Sequence, residues 1–249
     1  MKGKNILQVN QIYNQDCLIG LKDIPDKTID LVIIDPPYDI CTKGGCKGKT
    51  RIAKYMKNLE DELIKNDLVN AFNYSVLDEL VRVMKRINIY IWCNGRQIPI
   101  YIKYFIEKLD CKLEILIWNK TNPMPLYSCK YMSDKEYCLY FRKKGYCRPK
   151  NYEDAKTVYY STINIKDKKL YGHPTIKPVE LIRKIIRNSS KENDLVLDCF
   201  LGSGTTAVAS ILENRNYIGY EINKKYYEIA KKRISDTLKE RDDIDEGKH

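Results

Sequence analysis

The residues best suited to chemistry are Asp35, Pro36, Pro37 and Tyr38, which directly follow an apolar, β-branched run at 29–34. Such a run predicts a buried strand, and open α/β sheets bind ligands at the carboxyl ends of their strands. A carboxylate and a backbone carbonyl can accept the two N–H groups of an exocyclic amine, and an aromatic ring offers a stacking face. We therefore predict chemistry on a nucleobase amine; the alternative is a proline-stiffened turn with a structural role only.

A glycine-rich turn follows a second predicted strand, and the two together are typical of a nucleotide-type cradle. The strand covers 194–200, the turn contains Gly202 and Gly204, and 207–212 has helical character. Glycines let the backbone approach a ligand closely. Glu221 ends a further predicted strand, about twenty residues after the cradle, where an acid suits a pair of ribose hydroxyls.

Three segments resemble motifs of the DNA amino-methyltransferases that use S-adenosylmethionine. The stretch 35–38 is similar to their catalytic motif, 198–206 to their cofactor motif and 172–178 to their H-P-T-x-K-P segment. The catalytic motif comes first and the cofactor motif last, which is the permuted order of the β group. The stretch 118–125 resembles a segment of bacterial N6-adenine members, and the likeness spans roughly 12–234.

The resemblance implies an α/β fold: a Rossmann-like methyltransferase sheet with helices on both faces, an antiparallel edge strand and a circularly permuted motif order. It implies methyl transfer from S-adenosylmethionine to the N6 amine of adenine in duplex DNA, with the base flipped out of the stack. Cytosine N4 is the first alternative, although an aspartate at the head of the motif favours adenine. An RNA substrate, an NAD-type oxidoreductase and a non-catalytic DNA-binding relative stay open as further hypotheses.

The resemblance also implies a set of residues that line the cofactor. Asp16 is expected near the adenine of the cofactor, with a helix N-cap as its equal alternative. His173 has a structural hydrogen-bonding role as its alternative. The full set is Asp16, Cys17, His173, Thr175, Lys177, Asp198, Phe200, Gly202, Ser203, Gly204, Thr205 and Glu221.

Positive charge is concentrated in two segments of a chain whose net charge is +11. The segment 39–57 contains six basic residues and one acidic residue, and the segment 142–169 contains nine basic and three acidic residues. Clustering of this kind favours a polyanionic partner, here double-stranded DNA; the alternative is a lysine-rich, solvated surface. The predicted DNA contacts are Lys43, Lys47, Lys49, Arg51, Asn122, Tyr146, Arg148, Lys150, Lys166, Lys168 and Lys169.

The elements that must position these residues are predicted from apolar periodicity. Two strands at 113–118 and 137–142 are expected to pair as a hairpin, with 122–125 between them at the same edge as the catalytic motif. Other predicted strands lie at 10–13 and 88–93. Helices are predicted at 18–24, 59–84, 98–109 and from Pro178 to about 189.

The resemblance divides the chain into a catalytic half at 1–142, a target-recognition insertion at 143–171 and a cofactor half at 172–249. The insertion interleaves tyrosines with basic residues, which suits phosphates and base edges; the alternative is an ordinary insertion packed on the domain. The stretch 41–57 contains three glycines and is predicted to form a mobile loop over the site.

The cysteines and histidines indicate no metal site. The nine cysteines include no C-x-x-C pair, and the chain has two histidines, of which one is internal. Reduced thiols and the lack of a long apolar run predict a cytoplasmic protein, and the resemblance implies a bacterial or phage protein associated with the nucleoid. A cognate restriction enzyme and a second copy of the chain are the further candidate partners.

Overall fold

Eight strands form one mixed sheet in this computed structural model, which describes residues 8–38, 73–125, 131–163 and 176–246. The spatial order is β1-β8-β7-β2-β3-β5-β4-β6. The strands are β1 (Gln11–Tyr13), β2 (Leu31–Ile34), β3 (Ile87–Cys93), β4 (Lys112–Lys120), β5 (Lys135–Lys143), β6 (Val158–Ser161), β7 (Leu195–Asp198) and β8 (Asn216–Tyr220).

Seven helices of the described residues surround this sheet. They are α1 (Cys17–Gly20), α2 (Val76–Val83), α3 (Ile98–Ile102), α4 (Tyr152–Ala155), α5 (Val179–Ser189), α6 (Thr205–Leu212) and α7 (Lys224–Glu246). A single 3₁₀ turn, Leu21–Asp23, extends α1, and a π-helical turn, Lys103–Lys108, extends α3. Within the described ranges, no helix combines the length and the apolar character that crossing a membrane would require.

β5 is the antiparallel strand of the sheet, and it lies between β3 and β4. The resemblance had implied that the antiparallel strand would be an outermost strand of the sheet. The difference arises because β5 pairs along its whole length with both neighbours, and β6 then adds to the outer side of β4 in a parallel register. All other pairings in the sheet are parallel, so the carboxyl ends of β2, β3, β4 and β6 share one edge.

Strand β2 explains why the apolar run before the catalytic motif is continuous. All four of its residues are buried. Leu31 and Ile33 pack on the face that α5 covers, whereas Val32 and Ile34 pack on the face that α2 covers. Both faces of a central parallel strand are covered in this way, so alternation with polar residues disappears.

The strand order reverses between β2 and β7, because β2 is followed outward by β3 and β7 by β8. These two central strands are direct parallel neighbours, with Leu31 opposite Val196 and Val32 opposite Leu197. Open α/β sheets bind their ligands at the carboxyl ends of strands beside such a reversal. The fold therefore brings the predicted catalytic and cofactor motifs together, although they are far apart in the sequence.

Most of the predicted elements are found close to their expected bounds. The predicted hairpin pair forms β4 and β5, and the helix predicted at 98–109 begins as α3 and finishes as the π-helical turn. Pro178 is the N-cap of α5 and precedes its first turn, where the first helical position had been expected. Of the helix predicted at 59–84, only the part from residue 73 lies in the described residues, where α2 is found.

Candidate active site

The predicted catalytic residues extend from the carboxyl end of β2, beside the end of β7. Asp35 begins this segment, and the Tyr38 hydroxyl donates a hydrogen bond to Asp35 Oδ1 at 3.1 Å. The amide of Gln97, a fully buried side chain, donates to the Pro37 carbonyl at 3.1 Å. Asp198, the last residue of β7, is close enough to Asp35 for the Asp35 charge to raise its pKa. The two motifs thus form opposite sides of one site.

Four charged side chains from four separate segments, one of them Asp35, meet on this side of the site, and we call them the base-side network. Asp35 pairs with Lys177, which directly precedes the N-cap of α5. Lys177 Nζ also lies 3.2 Å from Glu136 Oε2, near the start of β5. Glu136 in turn pairs with Lys120, the last residue of β4, at 2.6 Å. Two carboxylates and two ammonium groups therefore form a chain without net charge.

Burial and mutual attraction together decide which charges this network keeps. Burial raises the pKa of Asp35, and the Lys177 ammonium limits the rise. Burial alone would also raise the pKa of Glu136, but Lys177 and Lys120 lower it to about 2. The pKa of Lys177 would fall on burial, yet the two carboxylates outweigh this effect and raise it. Lys177 and Glu136 are therefore charged at neutral pH.

Aromatic rings surround the ammonium groups of the base-side network. Lys177 Nζ lies 5.0 Å from the centroid of the Trp92 ring and 5.7 Å from that of Tyr38. Lys120 Nζ lies 5.2 Å from the centroid of the Trp118 ring. Such cation–π contacts stabilise a desolvated ammonium group. Trp92 and Trp118 are buried, whereas Tyr38 is partly exposed, so Tyr38 is the ring of these three that a flat base could contact.

The cofactor side is built mainly from backbone groups around the glycine-rich turn. Gly202 and Gly204 have φ of 53° and 84°, in the left-handed region that favours glycine. Glu221 accepts from the N–H of Gly202 at 2.8 Å and from that of Asn223 at 2.7 Å. Asp198 accepts from the N–H of Phe200 at 2.9 Å. Two carboxylates are thereby fixed at the ends of β7 and β8.

These two carboxylates have raised pKa values, in contrast to Glu136 of the base-side network. Burial raises the pKa of Asp198 to about 7, and Asp35 and Glu221 add to the rise. Burial also raises the pKa of Glu221, against the hydrogen bonds from two backbone N–H groups. A ligand with hydroxyl donors and a positive charge would stabilise both carboxylates, and an adenosyl sulfonium compound has these properties.

The remaining predicted cofactor residues occupy three different positions. Asp16 accepts from the N–H of Leu18 at 2.7 Å, so its expected N-cap role is confirmed. Cys17 contacts Cys199, directly after β7. The hydroxyls of Ser203 and Thr205 face Arg233 of α7, at 3.0 and 3.1 Å. The predicted contacts His173 and Thr175 lie outside the described residues.

The predicted DNA contacts are spread over both edges of the sheet. Asn122 follows β4 at the catalytic edge, where its Oδ1 accepts from the N–H of Ile163 at 2.7 Å. Tyr146, Arg148 and Lys150 follow the carboxyl end of the antiparallel strand β5, which lies at the opposite edge. The predicted contacts outside the described residues are Lys43, Lys47, Lys49, Arg51, Lys166, Lys168 and Lys169.

The two edges of the sheet lie well apart. Arg148 donates its backbone N–H to the carbonyl of Asn188, at the end of α5. Strand β3 has seven residues, and at about 3.3 Å per residue it separates the edges by about 20 Å. The structure therefore brings Asn122 to the catalytic edge but leaves Tyr146, Arg148 and Lys150 far from Asp35. The predicted loop over the site, 41–57, lies outside the described residues.

Sequence reasoning missed three residues that hold the catalytic segment. Glu136 begins an apolar strand, where a charged residue is usually an exposed strand end. Lys120 lies in the stretch that carried the resemblance, yet no role was predicted for it. Gln97 lies in a short connection without a motif. Within the described ranges, no group of three or more His, Cys, Asp or Glu side chains could hold a metal ion.

Comparison with known proteins agrees with the sheet, which has a methyltransferase-type fold. The family model described as DNA methylase matches residues 29–232. The chain belongs to this DNA methylase family, and the predicted family and fold class are confirmed.

Named relatives support the assignment. The type II methyltransferase M.HinfI of Haemophilus influenzae is 34% identical, over 95% of this chain and 71% of its own length. The type II methyltransferase M2.LlaDCHI of Lactococcus lactis subsp. cremoris is 31% identical, over 90% of this chain and 88% of its own.

Solved structures show the same fold. The crystal structure of the M1.HpyAVI–SAM complex superposes with a TM-score of 0.64 at 30% identity, covering 90% of this chain and 98% of that one. The cytosine-N4-specific PvuII DNA methyltransferase gives a TM-score of 0.67 at 19% identity, covering 90% and 85%, so the likeness to it concerns the fold alone.

Proposed function

We propose that this DNA methyltransferase transfers a methyl group to the N6 amine of adenine in duplex DNA, at a specific site. The observation that carries the proposal is the position of Asp35 and Tyr38 at the end of β2, directly beside the Asp198 end of β7. An aspartate at the head of the catalytic motif favours adenine over cytosine. The target base must leave the stack, because its amine cannot meet a methyl donor inside the helix.

The methyl donor is S-adenosylmethionine, in agreement with the prediction and with the complex of M1.HpyAVI. The residues that would hold it are the glycine turn at Gly202 and Gly204 and the carboxylates of Asp198 and Glu221. When bound, it supplies a methyl group that carries the electrophilic character of a sulfonium. Phe200 and Asp16 border the same end of the sheet.

The catalytic residues act on the amine. Asp35 accepts one N–H of the amine, and the carbonyl of Pro36 accepts the other, so that the nitrogen lone pair is released from the ring. Positive charge develops on the nitrogen as it attacks, and the Asp35 carboxylate stabilises that charge. Tyr38 supports the face of the flipped base. Pro37, held through its carbonyl by Gln97, keeps the turn in place.

The basic segments and the stretch 143–171 are proposed to contact the DNA. Strand β6 brings part of this stretch to the catalytic edge, where Ser161 pairs with Lys120 of β4. Tyr160, at the exposed face of β6, is 67% accessible. Basic residues of the insertion then neutralise phosphates, which positions the duplex. A restriction enzyme with the same recognition site and a homodimer complete the proposed partners.

Nucleoside analysis tests the proposal and separates it from cytosine N4 methylation. The purified protein is incubated with methyl-tritiated S-adenosylmethionine and unmethylated bacterial DNA, which is then digested to nucleosides and resolved by chromatography. Tritium in N6-methyldeoxyadenosine is expected. Tritium in N4-methyldeoxycytidine would replace the proposal with its alternative, and transfer to RNA but not to DNA would refute the duplex DNA substrate.

A further inference from the structure

Lys177 is the most enclosed charge of the base-side network, and its surroundings define what it can do. The side chain is 7% exposed. An ammonium group has three N–H donors, and three acceptors surround this one: Asp35 Oδ2, Glu136 Oε2 at 3.2 Å and the Tyr38 hydroxyl at 3.4 Å. Lys177 thus has its donors directed into the network, so it is suited to holding Asp35 rather than to contacting the cofactor.

The two carboxylates of the network depend on Lys177 to different degrees. Glu136 is held by two cations, since Lys120 lies 2.6 Å from its Oε1. Asp35 has Lys177 as its paired cation, and it is close enough to Glu136 to be repelled by that charge. Loss of the Lys177 charge would leave Glu136 compensated and Asp35 facing another carboxylate. Asp35 would then be the group that takes up a proton.

Only the ionised form of Asp35 can accept at both oxygens at once, one from Lys177 and the other from the target amine. Lys177 occupies Oδ2, and the Tyr38 hydroxyl donates to Oδ1 at 3.1 Å. A hydroxyl is readily displaced by another donor, whereas a buried ammonium between two carboxylates is not. Oδ1 is therefore the oxygen that can turn to the target amine while Oδ2 stays fixed.

We propose that Lys177 is a positioning residue of the methyl transfer, which keeps the Asp35 carboxylate ionised and fixes Oδ2 so that Oδ1 receives the amine of the base. Glu136 and Lys120 hold Lys177 in this position. The inference rests on the proposed function, because it takes Asp35 as the acceptor of the amine. Methyl transfer leaves one surplus proton on the nitrogen; Asp35 Oδ1 receives it, and Lys177 keeps its own proton throughout.

The pH dependence of the transfer rate tests this role. Lys177→Met removes the charge at similar length, and Lys177→Gln removes it while keeping two donors, so the test does not depend on one variant folding. Single-turnover rates at saturating S-adenosylmethionine and DNA are followed from about pH 5 to about pH 9. Removal of a close opposite charge commonly raises a carboxyl pKa by about 1–3 units, so the acid limb of the rate profile should move up by that amount.

The matched control is Lys184→Met. Lys184 is likewise buried, but its Nζ donates to the carbonyls of Glu153 and Lys156, at 2.8 and 2.7 Å, away from the site. Its loss should lower the unfolding midpoint without moving the acid limb. Lys177→Arg, which keeps the charge, should hold the limb close to that of the wild type. Cofactor affinity, measured by calorimetry, should be unchanged in both uncharged Lys177 variants.

A second readout does not depend on activity. The ¹³C signal of the Asp35 carboxyl, identified by its loss in Asp35→Asn, is titrated in the cofactor-free protein, and its midpoint should rise in Lys177→Met and Lys177→Gln. An unshifted midpoint and an unshifted acid limb, or a loss confined to cofactor affinity, would overturn the role of Lys177. A wild-type protein that methylates no DNA would instead refute the proposed function, and the carboxyl titration would still decide the role of Lys177.

Discussion

On the base side of the site, four charged side chains from distant parts of the chain form ion pairs with one another. On the cofactor side, by contrast, two carboxylates accept hydrogen bonds from backbone N–H groups. Asp35, Lys177, Glu136 and Lys120 belong to the first arrangement. The glycine turn and Glu221 belong to the second. The first arrangement fixes charges before a ligand arrives, while the second leaves buried carboxylates whose ionisation a ligand can change.

This difference indicates the role of each side of the site. The base side must present an ionised acceptor to a neutral amine, so its charge is kept by a buried ion-pair network. The cofactor side must receive a cationic ligand, so raised pKa values at Asp198 and Glu221 are tolerated until that ligand binds. Variants on the two sides should therefore fail in different measurements.

The largest expected effect is that of Asp35→Ala. Loss of an aligned acceptor at a centre of developing charge commonly costs on the order of a hundredfold or more in rate. Tritium transfer to DNA should fall by that factor, while calorimetry should give an S-adenosylmethionine affinity close to the wild type. Asp78→Ala, on the α2 surface, is the control and should keep its transfer rate. Near wild-type turnover of the Asp35 variant would remove the residue from the mechanism.

Asp198 on the cofactor side and Glu136 on the base side should affect the pH dependence of stability with opposite signs. The folded-state pKa of Asp198 is about 7, above the ordinary 3.8, so its stabilising contribution is present below 3.8 and lost as pH rises through about 7. The pKa of Glu136 is lowered from 4.5 to about 2, so its contribution is present above 4.5 and lost as pH falls through about 2. Asp198→Asn should flatten only the first dependence.

Urea unfolding of the cofactor-free protein measures this effect. Between about pH 5 and about pH 8, ionisation of Asp198 should lower the unfolding free energy of the wild type by about 2 kcal/mol. This value corresponds to a pKa difference between the folded and unfolded states of about one to two units over that interval. Asp198→Asn should lose that much less over the same interval. Equal pH dependence in the two proteins would show that Asp198 is ionised at both ends of the interval.

The same contrast explains what could be predicted from the sequence. Both motifs are contiguous, so the strand, the turn and the following acid could be recognised together, and the switch point between β2 and β7 places them side by side. Asp35 and Glu221 were found in this way. Glu136 was missed because its importance comes from a contact with Lys177, and these two residues are distant in the sequence. No local pattern records such a pairing.

The fold shows the same limit. The apolar strands β2, β3 and β7 were predictable from their composition, because burial on both faces requires continuous apolar runs. The four-residue strand β6 was not predicted, since it is short, none of its residues is buried and its pairing with β4 depends on a distant partner. The internal position of β5 also depends on pairing with both β3 and β4, which its own sequence does not specify.

Substitution of Tyr38 separates its ring from its hydroxyl. Base–aromatic stacking is worth roughly 1–3 kcal/mol per base, or about one to two decades. Tyr38→Phe loses the hydrogen bond to Asp35 Oδ1 but keeps the ring. Because the ring supplies the stacking, the transfer rate of this variant should stay near that of the wild type. Tyr38→Ala should lose about one to two decades of transfer.

A mismatch opposite the target adenine refines this measurement. It lowers the cost of extruding the base, so it should restore part of the binding that Tyr38→Ala loses. Fluorescence of 2-aminopurine at the target reports the flipped state. Equal transfer rates of the Phe and Ala variants on matched DNA would show that Tyr38 does not stack on the base.

On the cofactor side, Gly204→Ala should have a smaller effect and should act through the backbone. Gly204 has φ of 84°, and a Cβ there would lie 3.0 Å from the Cβ of Ala230 and 3.1 Å from its Cα. A left-handed conformation costs a non-glycine residue roughly 1–2 kcal/mol. Cofactor affinity should fall about tenfold, as that free energy implies, and the thermal unfolding midpoint should fall with it.

Gly95→Ala is the matched control for this substitution. A Cβ at Gly95 would have no atom within 4 Å among the described neighbours. Gly95→Ala should leave both the cofactor affinity and the unfolding midpoint near the wild type. A Gly204 variant that binds S-adenosylmethionine as tightly as this control would show that the turn adapts to a side chain.

The smallest expected effect compares two sets of basic residues in DNA binding. Each phosphate contact contributes roughly 0.9 to the slope of log affinity against log salt. Substitution of Lys166, Lys168 and Lys169 by Gln should flatten that slope and leave cofactor affinity unchanged. Arg148 and Lys150 are the comparison pair, because they lie at the edge opposite to Asp35. Their joint substitution by Gln should change the slope less for each residue replaced.

Fluorescence anisotropy of labelled duplex DNA over a salt series measures both sets. An equal change for each residue in the two sets would mean that the DNA also contacts Arg148 and Lys150, and an unchanged slope in the lysine variant would make those lysines an ordinary solvated surface.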